Sequence, residues 1–184
     1  MNKSTLKQKK IENINKKLER IAIKSLDINK CEKAIKALSA KAYLQYLYNQ
    51  SYKDSFIEKM IIELSEKTSD KLSHNRDDDT ILFYDGFGFD MRGLAYIYLK
   101  AMVELDYKII YISIANEAKH QPQIAELLKE QKIYNIGSEK NSLKRLKLMR
   151  EIANKEHFSN AFFYTMPNDI VGAVFFYEMR YECN

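Results

Sequence analysis

The chain is poor in the residues that build covalent or metal frameworks. It has two cysteines and three histidines among 184 residues, with only two prolines and five glycines. Cys31 and Cys183 stand far apart and in no pair spacing, which excludes a disulfide framework and a thiolate zinc site. His74, His120 and His157 are scattered with no partner at metal-ligand spacing, so no metal is expected. No nucleophile elbow and no cysteine–histidine set is visible. No apolar run approaches the ~20 residues that a membrane-spanning helix needs. The first ten residues are polar and lysine-rich with no apolar stretch behind them, so no secretory signal is expected and the expected compartment is the cytoplasm.

What the chain does have is apolar surface: 46% hydrophobic residues and 12% aromatics, enough for a true core. Its length fits one α/β domain with a smaller helical appendage, because single domains run to ~100–200 residues. The net charge of +5 is unevenly placed. Through Asn75 there are 16 Lys+Arg against 9 Asp+Glu, or +7, whereas the remainder carries 14 against 16, or −2. A segment so charged is drawn to an anionic surface, and on charge alone membrane lipid headgroups fit as well as nucleic acid does. Tyr43, Tyr46, Leu47, Tyr48 and Tyr52, with Lys41 and Lys53 nearby, read either as an aromatic-basic patch or as the half-buried face of a helix. No nucleic-acid-binding module is recognisable, and nucleic acid is not an expected partner.

From Lys3 to about Ser73 there is neither glycine nor proline, and apolar residues recur at helical spacing: Ile11, Ile14, Leu18 and Ile21, then Ile35, Leu38 and Ala42, then Phe56, Met60 and Leu64. Two or three helices follow, with Asp27 and Asp54 as expected N-caps. A polar cluster over residues 73–79 reads as a linker. The pattern then changes to short apolar runs alternating with helix-periodic stretches. Strands are predicted at 80–84, 108–114, 132–136 and 160–165, with helices between them and a further helix after Pro167. The predicted fold class is α/β: a Rossmann-like parallel sheet with flanking helices, preceded by a basic helical segment. The expected boundaries are 1–75 for the basic helices and 76–184 for the Rossmann-like domain. That domain ends on a candidate strand at Tyr181 without a closing helix, which predicts a truncated unit.

Ligands of open parallel sheets bind where loops leave the carboxyl ends of strands. The loop after the first strand contains Asp85, Gly86, Gly88, Asp90, Arg92 and Gly93. Asp90 is placed to cap the following helix, Arg92 sits in its first turn, and Gly93 allows close packing. The loop reads either as a ligand-binding turn or as a tight strand-to-helix connection. It is not a dinucleotide fingerprint, because Met91 stands where the third glycine belongs, and no Gly-Lys-Ser/Thr follows to make a phosphate loop. A methyltransferase-type loop is matched only loosely. Thr165, Asn168 and Asp169 follow the fourth strand and are expected at the same crevice, Asp169 doubling as a helix cap. His120, near a strand end, is a candidate general base for a sugar hydroxyl or else an exposed loop histidine.

The run Ile81-Leu82-Phe83-Tyr84-Asp85-Gly86-Phe87-Gly88-Phe89-Asp90-x-Arg92-Gly93-Leu94, with Tyr98-Leu99-Lys100-Ala101, resembles bacterial glycosyltransferases of polysaccharide gene clusters. Phe163-Tyr164-Thr165-Met166-Pro167-Asn168-Asp169-Ile170-Val171-Gly172 and Arg180-Tyr181-x-x-Asn184 add to the resemblance, as does Ala42-Tyr43-Leu44-Gln45-Tyr46-Leu47. It spans about Asn29 to the end, and its motifs are recognisable as a set rather than singly. The resemblance implies the acceptor-side half of a two-domain GT-B enzyme. Asp85, Gly86, Gly88, Asp90, Arg92, Gly93, Thr165, Asn168 and Asp169 would then bind a glycan or lipid-linked acceptor. A nucleotide sugar would be held only by a donor-binding domain that this sequence does not contain, so the chain alone carries no cofactor and no complete catalytic set. An alternative from another class is a non-catalytic α/β interaction module, recruited to an anionic membrane or partner by its basic helices.

Overall fold

A computed structural model describes residues 3–27, 29–49, 53–68, 72, 77, 79–87, 94–114 and 122–180. The glycine- and proline-free start lets helices propagate: α1 covers Lys3–Asp27, α2 Cys31–Asn49 and α3 Ser55–Thr68. Asp54 caps α3, its Oδ1 accepting from the amides of Phe56 (3.0 Å) and Ile57 (3.2 Å). Asp27 does not cap α2; it is the last residue of α1. The chain leaves that helix through Asn29, whose φ of 56° places it in the left-handed region, while the Lys30 amide closes back on the Ser25 carbonyl at 2.7 Å. The first turn of α2 is then anchored on the Lys30 carbonyl, which accepts from Lys33 and Ala34.

Of the two readings of the tyrosine cluster, the exposed aromatic-basic patch does not hold for Lys41. It is 3% exposed, bonded to Asp54 and 3.3 Å from Glu19. Gln45 donates to the same Asp54 oxygen at 2.8 Å. Burial raises the Asp54 proton affinity, but the bonds from Lys41, Gln45 and the Ile57 amide outweigh it and hold this carboxyl below the usual range. An ammonium so paired can be enclosed, which a solitary one cannot.

Short β-branched and aromatic runs make the strands β1 (Thr80–Asp85), β2 (Lys108–Ser113), β3 (Lys132–Asn135) and β4 (Asn160–Tyr164). They alternate with α4 (Leu94–Glu104), α5 (Pro122–Leu127), α6 (Ser142–Lys155) and α7 (Ile170–Met179). All pairings are parallel, and the order is β3-β2-β1-β4, so the protein is α/β with a Rossmann-like sheet. Every residue of β1 is buried, as expected of a central strand covered on both faces. Ala95 and Leu99 of α4 and Ile124 of α5 pack with Ile81, Phe83, Ile109 and Tyr111 on one face. Tyr84, Phe163 and Phe175 meet at tilted angles on the other, with ring centroids 5.6 and 5.8 Å apart. Arg150 of α6 and Glu178 of α7 form a buried two-point ion pair, its Nε–Oε2 bond 2.9 Å long.

The chain divides into two compact units: Met1–Ser69 with Pro167–Val174, and Asp70–Met166 with Phe175–Asn184. Residues 181–184, including the strand expected at Tyr181, lie outside the described residues, as do Gly88, Asp90, Arg92, Gly93 and His120. Among the described residues no helix is long and apolar enough to cross a membrane.

Candidate functional site

The sheet order creates one special position. From β1 the chain steps to β2 and β3 on one side, then returns to place β4 on the other side of β1. Successive connections therefore diverge at the carboxyl ends of β1 and β4, the place where open parallel sheets leave a crevice for ligands. Register puts Asp85 opposite Tyr164, and the Gly86 amide donates to the Tyr164 carbonyl at 2.8 Å. Asp85, Gly86 and Thr165 thus leave the sheet at one rim.

Asp85 itself is fully enclosed. Its Oδ2 accepts from the Tyr111 hydroxyl at 2.6 Å and its Oδ1 from the Phe87 amide at 3.0 Å. Burial, then the neighbouring Asp85 charge and the hydrogen bond to it, push the Tyr111 hydroxyl far above the usual phenol range, so it stays a donor across the working pH range. The Asp85 carboxylate therefore acts as a clamp: it ties β2 to β1 through Tyr111 and folds the Gly86–Phe87 turn back on itself. A side chain in that role positions a loop rather than meeting a ligand directly.

The pinned turn sets Phe87 against Tyr164, with centroids 4.7 Å apart and planes 27° from parallel. Tyr98 of α4 adds an edge-on contact to Tyr164 at 6.0 Å and a tilted one to Phe162 at 5.2 Å. Tyr98 remains 40% exposed. This aromatic group at the crevice rim was not recognised in the sequence, because its rings come from a loop, a helix and a strand. Thr165 is half-buried just beyond β4. Asp169 and Asn168 fall in the helical unit, where the Asp169 Oδ1 accepts from the Gly172 amide at 3.0 Å and so caps α7.

The opposite rim holds a cavity of about 520 Å³ between the strand starts, lined by Thr80, Ile109, Gln131, Lys132, Glu156 and His157 among others. Its polar groups largely answer one another. The Ile109 amide donates to Gln131 Oε1 at 2.8 Å, and Glu156 accepts from Lys132 at 2.5 Å and from the Tyr134 hydroxyl. Burial raises the Glu156 proton affinity, yet the bonds from Lys132 and Tyr134 prevail and keep its carboxyl below the usual range. The Tyr134 hydroxyl is pushed up to about 12, by burial first and by Glu156 next. A volume this size would admit a small molecule, and among its lining residues Glu156, Lys132 and Gln131 are already bonded within the protein. Among the described residues no group of three or more His, Cys, Asp or Glu is placed to hold a metal ion.

No family model, curated protein or solved structure matches the chain.

Proposed function

We propose that the carboxyl-rim crevice between β1 and β4 is the acceptor-binding half of a glycosyltransferase site. The observation that supports it most is the meeting of the Asp85–Gly86 turn and Thr165 at the switch point, beside the exposed ring of Tyr98. Pyranose rings present C–H faces to aromatic rings and hydroxyls to polar groups, so a rim of Phe87, Tyr98 and Tyr164 flanked by Thr165 suits a hydroxylated acceptor better than a phosphate. A phosphate site would call for the glycine-lysine loop that the sequence lacks. In this reading Gly88, Asp90, Arg92 and Gly93 belong to the acceptor-binding set, and His120 is the candidate general base. Donor nucleotide sugar requires a second domain, and the residues that stabilise a departing diphosphate come from there.

Calorimetric titration with oligosaccharides, nucleotide sugars and S-adenosylmethionine tests this reading. Saccharide is expected to bind weakly and specifically, and neither nucleotide ligand is expected to bind. Low-micromolar binding of a free nucleotide sugar or of S-adenosylmethionine, with none of saccharide, would overturn it.

A further inference from the structure

Basic side chains outnumber acidic ones on the exposed side of α1, where Glu12 and Asp27 are also exposed. Its 25 residues hold eight Lys+Arg and three Asp+Glu. Two of the acids are engaged locally: Glu19 reaches buried Lys41 at 3.3 Å, and Glu12 bonds Lys16 at 2.7 Å. Lys9, Lys10, Lys16, Lys17, Arg20 and Lys24 are all exposed. Steps of three, four and seven residues align these six along one side, opposite the buried Ala22, Ser25 and Leu26. The stripe is straight and runs ~22 Å at helical rise. Of the exposed apolar residues on α1, Leu6 lies within the stripe while Ile14 and Ile23 flank it on opposite sides; Tyr43, Leu47 and Tyr48 are exposed near the end of α2. Lys7 stands over the Tyr48 ring at 5.1 Å, which brings that aromatic end beside the first turns of α1.

We infer that this surface of the helical unit docks on an anionic lipid bilayer. A line of cations with protruding tyrosine and leucine suits a flat interface, where ammonium groups meet headgroup charge and amphipathic rings settle at the headgroup level. Duplex phosphates wind away from a straight stripe and return nothing for burying Leu6 or Leu47. The inference is independent of the sugar-handling reading, since it uses no residue of the sheet unit.

Co-sedimentation of the full chain with vesicles tests it. Binding is expected to phosphatidylcholine vesicles containing about one third phosphatidylserine, not to pure phosphatidylcholine, and is expected to vanish by roughly 0.5 M salt. The triple variant Lys9→Gln/Lys17→Gln/Lys24→Gln is expected to lower partitioning roughly a hundredfold. A control with the same charge change on the sheet unit, Lys100→Gln/Lys129→Gln/Lys147→Gln, is expected to lower it by no more than about threefold. Equal losses in the two triples, equal binding to neutral vesicles, or tighter binding to duplex DNA than to anionic vesicles at the same salt would each overturn the inference.

Discussion

The two rims of the sheet are built from different materials. At the amino rim, Lys132, Glu156 and Gln131 line a cavity, with Glu156 bonded by Lys132 and Tyr134 and Gln131 by the Ile109 amide. At the carboxyl rim an enclosed carboxylate, Asp85, organises a turn beside three aromatic rings, of which Tyr98 is partly open to solvent. The rim with a cavity bonds Glu156 and Gln131 internally, whereas the rim with a switch point offers ring faces beside a turn. The proposed site follows the topology of the sheet rather than the cavity.

The largest expected effect that sharpens this contrast is at Asp85. Replacing it, Asp85→Ala, leaves the buried Tyr111 hydroxyl and the Phe87 amide without their acceptor, at a cost of about 3 kcal/mol in urea unfolding. Saccharide binding should be lost with it. Adding Tyr111→Phe removes one orphaned donor, so the double variant is expected to recover part of that loss. A fully additive double variant would mean that the clamp is not one unit.

At the amino rim, Glu156→Leu is expected to cost only about 1 kcal/mol, because Lys132 is mostly exposed and regains water. It should leave saccharide binding unchanged. The Glu156 carboxyl is held below its ordinary value, so its contribution is present above the unfolded glutamate pKa of ~4.3 and fades as pH falls through the lower folded value. The acid limb of a stability profile should accordingly flatten in Glu156→Gln. Tyr134 has the opposite sign: raised to about 12, it contributes fully below the unfolded tyrosine value of ~10 and loses that contribution as pH climbs toward 12. Phenolate absorbance should show a tyrosine titrating near that upper value and missing in Tyr134→Phe.

Smallest in stability is Tyr98→Ala, expected at under about 1 kcal/mol for a ring this exposed, with roughly a tenfold loss of saccharide affinity. Unchanged affinity would remove the aromatic rim from the account.

How far the sequence announced these features depended on how local their causes are. The runs at β1 and β2 were legible because strands covered on both faces must be apolar throughout, and the Asp54 cap was legible because its partners lie two and three residues away. Asp27 misled because an aspartate between two helical patterns can close one or open the next, and the decision rests with Asn29 in the left-handed region. Lys41 could not be seen to turn inward, since Glu19 and Asp54 reach it from neighbouring elements. The same holds for the Asp85–Tyr111 clamp and for the Phe87, Tyr98 and Tyr164 cluster, which only the parallel register of β1 with β2 and β4 assembles.

The most direct test of the carboxyl-rim assignment is amide chemical-shift mapping of the chain titrated with an acceptor-like oligosaccharide. The account predicts that Gly86, Phe87, Tyr98 and Thr165 shift together and saturably. Shifts concentrated instead at Lys108, Lys132 and His157 would place the ligand in the amino-rim cavity and contradict it.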